Sequence, residues 1–173
     1  MITDELARLL GHLTVRFAEL DYNLSHFDSC LIECSDQVVG QVLVARMSFS
    51  QKLGLFHGLA RRKLDLLRLE GPGGGQKVRQ TSAAESDLLG AIKRFRVKVD
   101  EIARRRNDIV HGVLILDLRE SAGPSLLLQN VARGRIVNLN EKDVRALLES
   151  VIQAIQEMRG LVARLSSLLP SAG

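Results

Sequence analysis

Residues 104–112, Arg-Arg-Arg-Asn-Asp-Ile-Val-His-Gly, put three guanidiniums, an amide, a carboxylate and an imidazole into nine positions. On a regular helix Asn107 and His111 are four residues apart and share a face, while Arg106 lies about 100° round from Asn107. An arginine side chain is long enough to bridge that angle. A planar phosphate binder, an amide and an imidazole that titrates near neutral pH can therefore converge on one spot. Such a set suits cleavage of an RNA backbone. A base takes the proton of the 2′-hydroxyl, a cation stabilises the charge developing on phosphorus, and an acid protonates the departing 5′-oxygen. None of these steps requires a metal. Two proton transfers ask for more than one histidine, which a dimer supplying two copies provides. Arg104 and Arg105 add local positive potential, and Asp108 can orient the imidazole or face solvent.

A plainer explanation competes. An ionised arginine on a buried stripe needs a counter-charge, because an unpaired buried charge is costly. Arg106 could pair with Glu19 or Asp21 and fix helix register, with His111 closing a helix end.

The elements that must carry these residues are legible as apolar periodicities. Residues 3 to about 33 repeat Leu6, Leu10, Leu13, Phe17, Leu20, Leu24, Phe27 and Leu31 in heptad steps, with Thr3 as N-cap. A second helix starts at Ser35 or Asp36 and runs through Val39, Val42, Leu43, Met47, Leu53, Phe56 and Leu59 towards Leu67. Glycines and Ser48 and Ser50 predict a bend or break near 48–54. The third helix opens with a capping box at Ser82 and Glu85. Its stripe is Leu88, Ile92, Phe95, Val99 and Ile102, and the next position in phase is Arg106. After Gly112 the period changes: 113–120 and 125–131 read as a β-hairpin, extendable by 135–139. Asn140 then caps a last helix with Val144, Leu148, Val151, Ile155, Met158, Val162, Leu165 and Leu169 on its stripe.

Residues 70–82, Glu-Gly-Pro-Gly-Gly-Gly-Gln-Lys-Val-Arg-Gln-Thr-Ser, predict a flexible glycine-rich loop. It lacks the Gly-Lys-Ser/Thr and the preceding strand of a phosphate-binding loop. The expected fold is thus mainly α: a single domain over 1–173, an up-and-down bundle of four to five helices with a small β-hairpin insertion at 113–139 between the last two long helices.

The bulk composition agrees. Aromatics make up 3% of the 173 residues, so Leu, Val, Ile and Ala must build the core, as helix-on-helix packing allows. With 24 basic and 20 acidic residues the net charge is +4, compatible with an anionic partner. The scarcity of aromatics leaves RNA contacts to arginine and lysine; Arg61, Arg62 and Lys63 join Arg104 and Arg105 as candidates. His26, Cys30 and Cys34 fall at i, i+4 and i+8, but one straight helix rarely gives three ligands to one ion, so no metal or cofactor is expected. His12 and His57 have no chemical neighbourhood in the sequence. Two cysteines make no disulfide framework, and the first ten residues lack the pattern of a signal peptide. No apolar run is long enough for a membrane span, so a cytoplasmic protein is expected.

Arg106-Asn107-Asp108-Ile109-Val110-His111 resembles the R-x4-6-H motif of the HEPN superfamily, the higher eukaryotes and prokaryotes nucleotide-binding domains. A polar residue, often Asn, commonly follows the Arg in that family, and the motif sits late in the third helix of a helical bundle. The stretches RFAELDYNLSHF (16–27) and ARMSFSQKLGLF (45–56) are similar in texture to the first two helices of prokaryotic HEPN-like proteins, so the resemblance covers nearly the whole chain. It implies a homodimer whose motifs face each other across a cleft, and a metal-independent endoribonuclease of the kind found in toxin–antitoxin, phage-defence or RNA-processing settings. Arg106 would then bind the scissile phosphate, His111 transfer protons and Asn107 support them. The alternative it implies is a non-catalytic module that binds nucleotide or protein. Members paired with nucleotidyltransferase antitoxins often carry a Tyr just after the His, where this chain has Gly112.

Overall fold

The structure is a computed structural model, and it describes residues 3–32, 37–69, 82–111, 113–117, 125–130 and 135–168. Five helices are described: α1 (Asp4–Leu31), α2 (Gln37–Ala45), α3 (Phe49–Leu69), α4 (Ala83–Val110) and α5 (Glu141–Leu168). Three strands, β1 (Val113–Asp117), β2 (Ser125–Asn130) and β3 (Arg135–Asn138), lie between α4 and α5 in sequence. No helix among the described residues is long and apolar enough to cross a membrane.

Each long helix begins where a side chain satisfies the orphan amides of its first turn. The Leu6 amide donates to Thr3 Oγ1 at 3.0 Å ahead of α1. Ser82 and Glu85 form the expected reciprocal box, with the Glu85 amide donating to Ser82 Oγ (3.2 Å) and the Ser82 amide to Glu85 Oε2 (3.0 Å). The Asp143 amide donates to Asn140 Oδ1 at 2.9 Å ahead of α5. A box at Ser48 and Gln51 starts α3. The chain leaves α2 at Arg46 and restarts at Phe49, so of the bend or break expected near 48–54 a break forms, slightly earlier at 46–48, and the expected second helix is two helices.

The chain divides into two compact units. One comprises residues 1–19 and 99–153, the other residues 20–98 and 154–173. In the first, the starts of α1 and α5 are tied by polar contacts: Thr3 Oγ1 donates to Glu141 Oε1 (2.5 Å) and Arg145 Nη2 to Glu5 Oε1 (2.6 Å). Leu6, Leu9, Leu13, Ile102, Val144 and Val151 are among its buried side chains. In the second, Phe56 of α3 meets Phe95 of α4 edge to face, ring centroids 6.3 Å apart. Lys98 and Glu157 (2.9 Å) and Arg164 and Asp87 (2.7 Å) link α4 to α5 within it.

The expected fold class needs correction in its β part. The chain is mainly α, but the insertion is not the two-stranded hairpin of the expected fold class: the extension read over 135–139 supplies a strand of its own, Arg135–Asn138. The described strands make a three-stranded antiparallel sheet in the order β1-β2-β3. Leu114 pairs with Leu128 and Ile115 with Leu127 on one side of β2; Leu128 pairs with Val137 and Gln129 with Ile136 on the other. The reason is backbone hydrogen bonding. A lone hairpin is marginal and would leave one edge of β2 unpaired; β3 supplies the missing ladder. The glycine-rich loop expected over 70–82 lies outside the described residues, apart from Ser82.

Candidate functional site

The site is set by the phase of α4. Val99 and Ile102 are buried, and Arg106 follows Ile102 by four residues, so the stripe that fills the core delivers a guanidinium at its end. Arg106 is half-buried. Its guanidinium carbon stands 5.0 Å from the centroid of the Phe17 ring on α1, within the first compact unit. A cation over a ring face is worth about 0.5–2 kcal/mol, rising with desolvation. Nη1 donates to Asn107 Oδ1 at 3.1 Å. Nε is buried with no hydrogen-bond partner among the described residues.

The counter-charges proposed from sequence are engaged elsewhere. Asp21 accepts from Lys52 Nζ at 2.9 and 3.0 Å, and Glu19 accepts from Arg16 Nη1 at 2.7 Å. Among the described residues Arg106 makes no ion pair. The register-fixing salt bridge is therefore replaced by an aromatic face and a neighbouring amide.

Asn107 and His111 are exposed. The His111 amide donates to the Asn107 carbonyl at 3.0 Å, so helical backbone geometry persists one residue past the end of α4. That keeps Asn107 and His111 on one face, a turn apart. Arg106 and Asn107 are joined by a hydrogen bond, and Asn107 and His111 by helix phase. Asp108 is half-buried beside them.

The remaining cations fall into two groups. Arg104 is clamped by Asp100, which accepts from Nε at 3.2 Å and from Nη2, and by Glu101 at 3.2 Å; the hydrogen bond to Asp100 holds its pKa above the ordinary value. Arg105 is exposed. Arg61, Arg62 and Lys63 belong to α3 in the second compact unit, so the candidates for RNA contact are divided between the units. Arg61 lies 3.7 Å from Asp65, and partial burial lowers the Lys63 pKa.

An apolar cavity of about 190 Å³ is lined by Leu10, Leu13, Thr14, Ile109, Val110 and Leu139, so it borders the last turn of α4. Cys30 Sγ is 3.9 Å from His26 Nε2, while Cys34 lies outside the described residues. Among the described residues no group of three or more His, Cys, Asp or Glu side chains is placed to hold a metal ion.

Two groups escaped the reading of the sequence. Asp28 is fully buried, neither carboxylate oxygen has a hydrogen-bond partner among the described residues, and burial pushes its pKa up to about 8 against the Lys52 charge, which lowers it. Its signal was present: counting four on from Leu24 along α1 lands on Asp28. His57 sits among cations of two helices; nothing in the local sequence shows this, because the neighbours on α4 are more than thirty positions away. No protein-family model, curated protein or solved structure matches the chain.

Proposed function

We propose that this chain is a metal-independent endoribonuclease of HEPN type, acting as a homodimer through Arg106, Asn107 and His111. The observation that carries the reading is the state of Arg106. It is half-buried and oriented by the Phe17 ring and the Asn107 amide, with no ion pair among the described residues. A guanidinium held this way keeps charge for an anion. Burial of Nε leaves the terminal nitrogens as the phosphate-binding end.

In the reaction, the 2′-oxygen of one nucleotide attacks the adjacent phosphorus and the bond to the 5′-oxygen breaks. The 2′-hydroxyl proton passes to a neutral imidazole, and a protonated imidazole gives a proton to the departing 5′-oxygen. The products are a 2′,3′-cyclic phosphate and a 5′-hydroxyl, with no net proton change. His111 of one copy serves as base and the second copy's equivalent as acid, while Arg106 stabilises charge on the phosphorane. The resemblance to the HEPN superfamily implies a toxin–antitoxin, phage-defence or RNA-processing setting for the activity.

The test is incubation of the purified protein and its His111→Ala variant with mixed RNA, with and without EDTA. Cleavage by the wild type that persists in EDTA and disappears in the variant, while folding is retained, is the expected result. Cleavage surviving in His111→Ala refutes the role of that residue. RNA bound but uncut by the wild type favours the non-catalytic binding module instead.

A further inference from the structure

We infer that His57 and Arg61 of α3, together with Lys93 and Arg96 of α4, form a face that binds the phosphodiester backbone of RNA. The inference rests on RNA being the substrate, as proposed above, and it assigns to the second compact unit a substrate-holding role apart from the Arg106 site.

Three observations build the face. First, the edge-to-face contact of Phe56 with Phe95 locks α3 against α4, and His57 and Arg96 each follow one of those two rings in sequence. The register that packs the rings therefore sets the cations of both helices along one seam. Second, the His57 imidazole is held below its ordinary pKa, first by partial burial and then by the charges of Arg96, Arg61 and Lys93. Those three cations act on one ring, so they are spatial neighbours. Third, the positive charge is barely compensated. Among the described residues Lys93 and Arg96 make no ion pair, and both are exposed. Among the described residues Arg61 pairs only with Asp65, at 3.7 Å across two exposed side chains, a pairing that contributes little. Beside it a depression of about 390 Å³ is lined by Gly58, Arg61, Arg62, Asp65 and Leu66. A side chain at Gly58 would meet nothing within 4 Å, so this surface is open.

Clustered like charges repel one another, and a polyanion relieves the repulsion. The face favours nucleic acid over a protein partner because its aromatic rings, Phe56 and Phe95, are buried. Protein interfaces depend on aromatic or apolar anchors, whereas a row of cations suits a repeating phosphate charge. With its phenylalanine rings buried and only the partly buried His57 imidazole beside the cations, recognition here is chiefly by backbone charge and nearly indifferent to sequence.

The experiment uses the full chain carrying His111→Ala, so that RNA stays intact, and follows a fluorescently labelled single-stranded RNA by anisotropy across a salt series. The double substitution Lys93→Ser with Arg96→Ser, at exposed positions, should weaken binding roughly tenfold at about 0.1 M salt. It should also make the log–log salt slope shallower by about 1.4, about 0.7 for each phosphate no longer neutralised. Binding should tighten as pH falls from about 8 to 5.5, because RNA favours protonated His57, and His57→Gln should flatten that dependence. An unchanged slope in the double variant, or tighter binding of poly-glutamate or phosphatidylserine vesicles than of RNA, overturns the inference. A pH dependence that survives His57→Gln overturns the place of His57 in the face. If the protein with His111 intact cuts RNA while the double variant binds normally, this inference alone fails. If RNA is held by the face but never cut, the catalytic reading alone fails.

Discussion

The Arg106 guanidinium lies over the Phe17 ring, 5.0 Å from its centroid, and this contact joins the end of the α4 stripe to α1 within one compact unit. The ring does for the cation what a carboxylate would otherwise do, without neutralising it. Phe17→Leu keeps an apolar side chain at a buried position but removes the π face. It should cost about 1–2 kcal/mol, lowering the Tm by about 2–4 °C for each kcal/mol. Under the proposed function it should also lower RNA cleavage, because Arg106 loses its orientation. A variant with reduced Tm but undiminished cleavage would show that the ring does not position the cation.

Arg106→Met separates a structural arginine from a functional one. Breaking a buried ion pair typically costs about 3–5 kcal/mol, since a charge is left stranded. Arg106 makes no such pair among the described residues, and Met retains much of its apolar stem. The expected change in stability is about 1 kcal/mol or less by thermal or urea unfolding, with RNA cleavage abolished. A fall in stability of the size seen for a broken buried pair would return Arg106 to a scaffolding role.

The sequence disclosed the framework around this site better than its finer packing. The α4 stripe from Leu88 to Ile102 is buried as its spacing predicts, and the caps at Thr3, Ser82 and Asn140 form as their residue types predict. Errors arose where a neighbour, not periodicity, chose the face. In α2 the apolar residues Val39, Val42 and Leu43 are exposed, while Val44 is buried. A Cβ at Gly40 would stand 3.4 Å from the Ser29 carbonyl oxygen, so the close approach of that backbone turns Gly40 and Val44 inward. At the end of α1 the buried position is Asp28, not Phe27, because a polar residue on a stripe is invisible to a hydrophobic count. In α5 Leu161 is buried where Val162 was expected. The Arg106 motif was legible because its residues lie within one helical turn and a half. The cationic face of α3 and α4 was not, because its members meet only after folding.

Lys52 is 5% exposed and donates two hydrogen bonds to Asp21, whose side chain is 37% exposed. Removing Lys52 therefore leaves a carboxylate that water can still reach. Lys52→Met should cost about 1–3 kcal/mol, less than a fully buried pair. A double-mutant cycle with Asp21→Asn should return a coupling of at least about 1 kcal/mol. Additive losses would show that Lys52 contributes through packing alone. The Lys52 charge also lowers the Asp28 pKa, so Lys52→Met should raise the pH at which Asp28 ionises.

Asp28 makes stability depend on pH in a direction opposite to that of a salt-bridged carboxylate. Its side chain is fully buried, neither oxygen has a hydrogen-bond partner among the described residues, and burial raises its pKa from the usual 3.8 to about 8. Below the unfolded value both states hold the proton, and the folded chain has its full stability from this group. Between about 4 and 8 the unfolded chain has released a proton that the folded chain retains. Stability therefore falls as pH rises through this window, by up to about 1.4 kcal/mol per pH unit, until the folded carboxyl ionises near its own pKa. Asp28→Asn removes the titration while keeping the shape. In urea unfolding across this range the wild type should lose stability with rising pH and the variant should not, so that above about pH 8 the variant is the more stable protein. An equal slope in both proteins would show that Asp28 ionises in the folded chain near its ordinary pKa, with water or a counter-charge reaching it inside α1.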